Sequence, residues 1–157
     1  MKKVLITGGF GTLGTSLTKI LCKKGFKIFI LDRSKKKKII NSFGKSKIIR
    51  LYGNFNNLDQ LIKIIKKNKF CTIIHLGAIM QTVKSNLSPL NTFNTNITGT
   101  INILEAVREV DKKINIIFSS SAKAYGKMKG KAFIESDALH GDYPYDVSKS
   151  AADLISQ

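Results

Sequence analysis

Two side chains near the C-terminal end of the chain, Tyr145 and Lys149, could together move a proton. They lie four residues apart in the segment P-Y-D-V-S-K, and on a helix this spacing places both on one face. An ammonium group near a phenol stabilises the phenolate and lowers a phenol pKa that is ordinarily about 10. Tyr145 is therefore a candidate general base toward a substrate hydroxyl. Because such a pair also occurs often by chance, it needs support from other parts of the chain.

The stretch T-G-G-F-G-T-L-G, residues 7–14, is the second feature that could do chemistry. Its glycines fit two registers, one through Gly8, Gly11 and Gly14 and one that begins at Gly9. A strand, a glycine loop and an amphipathic helix in this order are typical of a dinucleotide site. The glycines let the backbone approach a pyrophosphate, to which the helix N-terminus offers N–H groups and a positive dipole. A plain turn needs one or two glycines rather than four, so we predict a bound dinucleotide.

Asp32 closes the second predicted strand, 18 residues beyond Gly14. At this position a carboxylate would accept hydrogen bonds from an adenosine ribose. Its charge would repel a 2′-phosphate and so favours NAD over NADP. Arg33 and the lysine run 35–38 could instead attract that phosphate, although a solvated basic loop explains the run as well. We expect NAD and leave NADP open.

The serines 119–121 end the fifth predicted strand, where ligands of open α/β sheets bind. Beside a dinucleotide, Tyr145 could take the proton of a hydroxyl while hydride leaves the same carbon for the nicotinamide. The three features together predict a redox reaction at an alcohol.

Five apolar, β-branched runs are typical of strands that are buried on both faces of a parallel sheet. They cover residues 3–7, 27–31, 47–52, 71–76 and 114–119. The alternation of strand and helix predicts a doubly wound α/β sheet of the Rossmann type, with strand order 3-2-1-4-5 and right-handed crossovers. We expect a single NAD(P)-binding domain over residues 1–157.

Apolar residues at helical spacing fill the segments around these runs. The sets predicted to share a core-facing side are Leu13, Leu17, Ile20 and Leu21; Leu58, Leu61, Ile62 and Ile65; Ile97, Ile101 and Leu104; and Val147, Ala151, Leu154 and Ile155. Gly25 stands where a cap would end the first helix. Residues 120–143 show little periodicity and predict a long loop, which in a compact domain is usually functional.

Composition limits the remaining classes of function. The 157 residues are 43% hydrophobic and 24% charged, which is typical of a globular domain. No apolar run approaches the roughly 18–20 residues of a membrane span, so we expect a cytoplasmic protein without a membrane partner. Cys22 and Cys71 lack the spacing of a zinc site or a disulfide framework. Two buried thiols and no bound metal are expected.

The net charge of +17 raises nucleic acid as a partner. The lysines are spread along the chain, however, only three basic residues are arginine, and no basic patch is interleaved with aromatic residues. We therefore expect no specific nucleic-acid partner, and at most non-specific adhesion at low salt.

In the order and spacing of its motifs, the chain resembles the extended short-chain dehydrogenase/reductase family, and within it the NAD-dependent epimerase/dehydratase branch that acts on nucleotide sugars. The similar segments are T-G-x-x-G-x-x-G at 7–14, G-N at 53–54, H-L-G-A at 75–78, N-I-T-G-T-I-N-I-L-E-A at 96–106, S-S-S-A-K-A-Y-G at 119–126 and P-Y-D-V-S-K at 144–149. The resemblance covers essentially the whole chain.

The resemblance implies a role for each matching residue. Tyr145 would be the base, Lys149 its partner and a ligand of the nicotinamide ribose, and Ser121 the hydroxyl bonded to the reacting oxygen. The residues implied to bind the cofactor are Gly8, Gly11, Thr12, Leu13, Gly14, Asp32, Arg33, Asn54, Leu76, Ala78, Asn96, Tyr145 and Lys149. His75 takes a structural position in the family and is expected to be satisfied locally.

The reaction implied is oxidation of a sugar hydroxyl. An epimerase then returns hydride to the other face, whereas a 4,6-dehydratase first eliminates water with a further acid next to the hydroxyl-bearing residue. Here Ser121 is followed by Ala122 and Lys123, and alanine cannot protonate a leaving group. This favours an epimerase or oxidoreductase. A CDP-glucose 4,6-dehydratase-like enzyme stays open, because K-A-Y-G and Y-P-Y-D-V-S-K-S-A-A-D-L-I are closer to that branch, and so does a non-catalytic NAD-binding module.

The family's chains are about twice as long, with a C-terminal part that holds the nucleotide sugar. We expect an N-terminal fragment of such an enzyme, truncated before the substrate-binding part, with a free-standing cofactor-binding remnant as the alternative. Family members often dimerise through helices that here would include 89–110 and 145–157. A homodimer is a further expectation, which rests on analogy.

Overall fold

The computed structural model describes residues 2–33, 48–127, 130 and 132–157. The lysine run 35–38 lies outside these ranges. The chain divides into two compact units, one of Met1–Gly77 with Asn102–Ile117 and the other of Ala78–Ile101 with Phe118–Gln157. Each unit is described by itself.

The strands are close to the apolar runs of the sequence. The strands are β1 (Lys3–Thr7), β2 (Lys27–Asp32), β3 (Ile48–Tyr52), β4 (Thr72–His75) and β5 (Asn115–Phe118). The helices are α1 (Thr12–Lys23), α2 (Leu58–Asn68), α3 (Thr82–Leu87), α4 (Pro89–Phe93), α5 (Gly99–Val110) and α6 (Pro144–Leu154). A π-helical turn at Asn94–Thr98 joins α4 to α5, and a 3-10 turn covers Ala122–Tyr125.

The five strands form one sheet in the order β3-β2-β1-β4-β5. β1 pairs in parallel with β2 on one side and with β4 on the other, and β2 pairs in parallel with β3. The predicted fold class and strand order are therefore confirmed. The carboxyl ends of β1, β2 and β4 reach the same edge of the sheet, because Thr7 is in register with Leu31 and with His75.

Alternate residues of the central strands supply two separate cores, because side chains of a strand point to opposite faces. Leu5, Phe29 and Ile73 belong to the core that contains α2 and residues of α5. Their neighbours belong to the core that α1 covers: Val4, Ile6, Ile28, Ile30 and Ile74. All four predicted residues of α2 pack into the first core, so that helix face is confirmed.

The predicted face of α1 is only half correct. Leu17 and Leu21 pack against their core, but Leu13 is 60% and Ile20 52% exposed. The two buried residues of this helix are Gly14 and Thr18. Small residues lie against the sheet because they let the helix axis approach it closely, and the leucines then flank the contact. Gly25 has a φ of +86° after the helix, as a C-terminal glycine should.

The predicted face of α5 is wrong. Ile101 is 44% exposed, and the buried apolar residues of the helix that join the core are Ile103, Ala106 and Val107. Counting from Ile97 at helical spacing misplaces the face, since the π turn that contains Ile97 adds a residue to one turn of the helix.

The predicted face of α6 is also wrong. Val147, Leu154 and Ile155 are 40%, 56% and 42% exposed. The buried residues are mostly polar: Asp146, Ser148, Lys149, Ser150 and Ala152. Hydrogen bonds explain part of this inversion, because a polar group can be buried at little cost when it has a partner. Ser150, for example, donates to the carbonyl of Ala124 at 2.7 Å.

Three smaller expectations can be compared with the structure. Within 120–143, the described residues are irregular apart from the 3-10 turn. Cys22 and Cys71 are thiols rather than partners in a disulfide, but each is half-buried instead of fully buried. No helix in the described ranges is both long enough and apolar enough to cross a membrane.

Candidate functional site

The glycine loop between β1 and α1 has a backbone that side chains would disrupt. Gly8 has a φ of +66°, and a Cβ there would lie 2.9 Å from the backbone of Gly77. A Cβ on Gly14 would lie 2.5 Å from the carbonyl oxygen of Gly8. A Cβ on Gly9 would meet the Ile30 side chain at 2.8 Å. Three of the four glycines are thus required by close packing within this unit.

Gly11 differs, because packing does not require it. A Cβ there would have one neighbour within 4 Å, the Gly8 carbonyl oxygen at 3.2 Å. Gly11 is the N-cap of α1, no side chain caps this helix, and Thr12 and Leu13 in its first turn are exposed. Free space in front of an uncapped helix N-terminus is what a phosphate group needs. These residues therefore fit the pyrophosphate of a dinucleotide.

Asp32 is the last residue of β2, as predicted, and its side chain is half-buried. Its carbonyl oxygen accepts a hydrogen bond of 3.3 Å from the N–H of Gly53. Arg33, the next residue, is exposed. The carboxylate of Asp32 therefore ends the strand, and the guanidinium of Arg33 comes directly after it.

Asn54 and Leu76 also follow strand ends in this unit. Asn54 is exposed; its N–H donates to Gln60 Oε1 at 2.9 Å, and its side-chain oxygen accepts from the N–H of Asn56 at 3.0 Å. Leu76 is half-buried, and its N–H donates to the carbonyl of Thr7 at 3.2 Å. Asn54 is held by hydrogen bonds to residues close to it in sequence. Leu76 instead bonds to the end of β1 and packs against the core that α1 covers.

His75 is satisfied locally, as expected. It is 3% exposed, and its Nδ1 shares a 2.7 Å hydrogen bond with the hydroxyl of Thr7. The same hydroxyl accepts from the N–H of Gly77 at 3.1 Å, and the edge of the Phe55 ring packs on the imidazole with centroids 5.1 Å apart. The imidazole joins neighbouring strand ends, which is a structural role.

In the second unit, α6 carries both Tyr145 and Lys149. Lys149 is 5% exposed, and its Nζ donates a hydrogen bond to the carbonyl oxygen of Ser119. Burial lowers the pKa of Lys149 to about 8, while the carboxylate of Asp153 raises it. The side chain is also placed over the Phe118 ring, with Nζ 4.5 Å from the centroid. Tyr145 is half-buried at the start of the helix.

Ser121 lies at the N-cap of the 3-10 turn and is half-buried. Its Oγ accepts a hydrogen bond of 3.2 Å from the N–H of Lys123. Since that bond uses a lone pair, the hydroxyl hydrogen is left to donate elsewhere.

Asn96 lies in the π turn and is 2% exposed. Its side-chain oxygen accepts from the N–H of Ile79 at 2.8 Å, and its Nδ2 donates to the carbonyl of Ile79 at 3.0 Å. Nδ2 also donates to Ser148 Oγ at 2.9 Å. The amide therefore pairs with a backbone segment as a strand would. Ala78, just before that segment, is exposed.

Ser148 links this amide to the residue proposed as base. Besides accepting from Asn96, its hydroxyl donates to the carbonyl of Tyr145 at 2.7 Å. The structure thus brings Asn96 and the first turn of α6 together, and separately Lys149 and the end of β5. Sequence reasoning singled out neither Ser148 nor Phe118. The signals were present, since Ser148 lies inside the P-Y-D-V-S-K motif and Phe118 directly precedes the serine cluster.

Comparison with known proteins decides the family. Residues 5–157 match the family model described as GDP-mannose 4,6 dehydratase. The chain belongs to this family. It is a member of the extended short-chain dehydrogenase/reductases, in their NAD-dependent epimerase/dehydratase branch, and the resemblance read from the motifs is confirmed.

The relatives of this family member include sugar-nucleotide epimerases. It is 30% identical over 173 residues to a CDP-paratose 2-epimerase from Salmonella typhi, covering 96% of this chain and 51% of that protein. The UDP-Glc/GlcNAc 4-epimerase from Campylobacter jejuni superposes with a TM-score of 0.91 at 24% identity, over 99% of this chain and 48% of that one.

A second solved structure holds a cofactor. The UDP-glucose 4-epimerase from Bifidobacterium longum, in complex with NAD+ and UDP, superposes with a TM-score of 0.86 at 25% identity, covering 98% of this chain and 48% of that one. The family member described here spans about half the length of these three proteins.

Proposed function

We propose that this chain supplies the cofactor loop and the catalytic residues of an NAD-dependent nucleotide-sugar epimerase or oxidoreductase. The observation that carries the proposal is the setting of Lys149. Its amine is buried on α6, four residues after Tyr145, and is hydrogen-bonded at the end of β5 beside the serine cluster. This setting supports catalysis because burying an amine destabilises its charged form, and such a cost is typical of functional sites.

Tyr145 is proposed as the base. As the phenolate, Tyr145 would take the proton of a sugar hydroxyl while the carbon that bears this hydroxyl loses its hydride and becomes a ketone. Tyr145 would return the proton when the ketone is reduced. Bound NAD would supply a reversible acceptor for the hydride. The start of a helix suits this task, since its positive dipole favours the phenolate.

Lys149 and Ser121 are proposed to assist in different ways. With a pKa of about 8, Lys149 is still mostly charged near neutral pH, so its ammonium can stabilise the Tyr145 phenolate. It would also donate hydrogen bonds to the nicotinamide ribose. Ser121 would donate its hydroxyl hydrogen to the reacting oxygen. Its Oγ accepts a hydrogen bond from the N–H of Lys123, and this bond leaves the hydroxyl hydrogen available.

The residues proposed to hold the cofactor fall into two groups. In the first unit, Gly8, Gly11, Thr12, Leu13 and Gly14 would bind the pyrophosphate, with Asp32, Arg33, Asn54 and Leu76 toward the adenosine. In the second unit, the residues proposed as cofactor ligands are Ala78, Asn96, Tyr145 and Lys149. The side chain of Asn96 already pairs with Ile79 and Ser148, which supports an indirect contribution. Asp32 supports NAD, and NADP is retained as the alternative because Arg33 is exposed.

Two reactions start from the same ketone. The epimerases among the relatives favour return of the hydride, whereas the description of the matching family model favours a 4,6-dehydratase. Ala122 follows Ser121 at the first position of the 3-10 turn and has no proton to give to a leaving hydroxyl. We therefore favour the epimerase or oxidoreductase. A 4-keto-6-deoxy product would instead identify the dehydratase.

Three coarser proposals accompany this function. The substrate is proposed to be a nucleotide sugar, the chain to be part of one dinucleotide-binding domain, and the protein to be cytoplasmic. A homodimer is proposed below on other grounds.

Tyr145→Phe tests the proposal, with Tyr143→Phe as the matched control. Tyr143 is 47% exposed and stands two residues earlier. Calorimetric titration should show that both variants still bind NAD, because the pyrophosphate loop and the other proposed cofactor contacts are unchanged in each. Conversion of UDP-, CDP-, dTDP- and GDP-sugars, assayed with the longest protein that the gene encodes, should fall at least roughly 100-fold in Tyr145→Phe alone.

Each other outcome has a defined meaning. Normal turnover by Tyr145→Phe would show that another group is the base. NAD binding without conversion of any sugar by the parent protein would favour the non-catalytic module, and tighter binding of NADP would overturn the cofactor preference.

A further inference from the structure

The ammonium group of Lys149 is held by two neighbours that are adjacent in sequence. Its Nζ donates to the carbonyl of Ser119 and lies 4.5 Å from the centre of the Phe118 ring. Because Lys149 is only 5% exposed, these contacts must replace the water that surrounds an exposed ammonium. Phe118 is itself half-buried as the last residue of β5.

The ring and the carbonyl act differently on the amine. The face of an aromatic ring attracts a cation through its quadrupole and offers no such attraction to a neutral amine. An ammonium has three donors, and the Ser119 carbonyl takes one of them, so two are left for a ligand.

We propose that Phe118 is a positioning residue, whose ring fixes the Lys149 ammonium at the end of β5 and keeps it charged while leaving its donors available. The consequence for catalysis rests on the function proposed for Lys149 above. The contact itself depends on no substrate or cofactor, so it can be tested separately.

The surroundings of Lys149 determine the direction of the expected effect. Burial already lowers its pKa to about 8, and Asp153 opposes this. The titratable side chains on α6 and on the elements packed against it are Lys84, Lys123, Tyr125, Tyr145, Asp146 and Asp153. Lys84 and Lys123 are exposed. Loss of the ring removes an attraction for the charged form only, so the pKa of Lys149 should fall further.

Phe118→Leu tests this, because leucine keeps an apolar side chain but has no ring face. Phe118→Tyr keeps the ring and should restore the parent behaviour. Phe133→Leu is the control, since it removes a ring in the same unit that stacks on Tyr125 with centroids 4.9 Å apart. The probe is acetic anhydride, applied to the 157-residue chain over a range of pH. Peptide mass spectrometry then gives the midpoint of Lys149 acetylation, and circular dichroism checks folding.

In Phe118→Leu the midpoint should fall by about 1 pH unit, which corresponds to a cation–π contact at a desolvated site. Phe118→Tyr and Phe133→Leu should match the parent. An unchanged midpoint in Phe118→Leu, or an equal fall in Phe133→Leu, would overturn the proposal. If the leucine variant does not fold, Phe118→Met gives the same comparison. Since no substrate takes part, this result is independent of whether Tyr145→Phe loses turnover.

Discussion

At the scale of single residues, the buried amine of Lys149 lowers the stability of the fold at a position proposed for catalysis. Its amine is buried beside a carbonyl and a ring, and its pKa is lowered from 10.5 to about 8, mainly by burial. A lowered pKa means that the folded chain binds this proton less tightly than the unfolded chain does. The folded state therefore tolerates the ammonium rather than gaining stability from it.

The lowered pKa of Lys149 makes the free energy of unfolding depend on pH. Between pH 8 and 10.5 the unfolded chain binds the proton of Lys149 more often, so this residue makes stability rise with pH across that window. Below it the penalty is constant, at roughly 3 kcal/mol. We expect Lys149→Met to be about 1–3 kcal/mol more stable than the parent near neutral pH, after the lost hydrogen bond to Ser119 is allowed for.

Urea unfolding at about pH 7 and about pH 9.5 measures this. The gain in Lys149→Met should shrink at the higher pH, because the parent loses part of its penalty there. Lys123→Met is the control, since Lys123 is exposed on the neighbouring 3-10 turn, and it should follow the parent at both values. Equal stability of Lys149→Met and the parent at both pH values would mean that the amine is not destabilised by burial.

At the scale of elements, the loop between β1 and α1 separates glycines needed for packing from one that packing leaves unexplained. A Cβ on Gly14 would come within 2.5 Å of a backbone oxygen that has no room to move. Gly11 is the N-cap of α1, and a Cβ there would meet only the Gly8 carbonyl oxygen, at 3.2 Å. We therefore expect Gly14 to serve the fold and Gly11 to serve a ligand.

Alanine at each position should separate the two roles. Gly14→Ala should lose roughly 1–3 kcal/mol of stability through overpacking, whereas Gly11→Ala should lose less, because its Cβ would meet a single atom at 3.2 Å. Gly11→Ala should nevertheless weaken NAD binding, because its methyl group occupies space in front of the helix. Urea unfolding and calorimetric NAD titration give both quantities. Parent-like NAD affinity in Gly11→Ala would place the pyrophosphate elsewhere.

Most of the sheet could be predicted from the sequence, because buried parallel strands are nearly continuous apolar runs. These runs are short enough to be strands rather than helices. The helix faces were harder. For α6 the stripe of Val147, Leu154 and Ile155 indicated a buried side, but hydrogen-bonded Ser148 and Ser150 are buried instead. Apolar periodicity cannot show that a polar side chain has a partner far away in sequence.

For the candidate site too, local features could be predicted from the sequence and long-range contacts could not. The motifs indicated Tyr145, Lys149 and the loop glycines, since spacing and residue type are local properties. The pairing of Asn96 with Ile79, and the approach of Lys149 to Phe118, depend on segments that meet only in the folded chain. Their residues could be named from the family's motifs, but their partners could not.

At the scale of the whole molecule, two exposed leucines bear on the homodimer that the sequence analysis expects. In the second unit Leu90 is 73% and Leu154 56% exposed, and both lie on helices for which the sequence suggested a dimer contact. Exposed apolar side chains commonly mark a protein interface where they form one surface, and a two-fold dimer is the commonest oligomer of soluble proteins. We propose a homodimer through α4 and α6.

Lysine substitutions test the dimer. Leu90→Lys combined with Leu154→Lys should convert a dimer to a monomer in sedimentation equilibrium, because each lysine would have to be desolvated at the contact. Val83→Lys is the control, since Val83 is 72% exposed on α3 and outside the suggested helices, so it should remain a dimer. A parent protein that is monomeric at tens of micromolar would dismiss the proposal.

The π turn at Asn94–Thr98 has a consequence for how this chain can vary. Such a turn holds one residue more than an α turn, so the direction in which Asn96 points relative to α5 depends on the number of residues as well as on their types. Removing one residue there would rotate Asn96 by about 100° around the helix and away from Ile79. A substitution in the turn leaves the direction of Asn96 unchanged, whereas deletion of one residue does not. Relatives that share the pairing of Asn96 should therefore have the same number of residues in this turn.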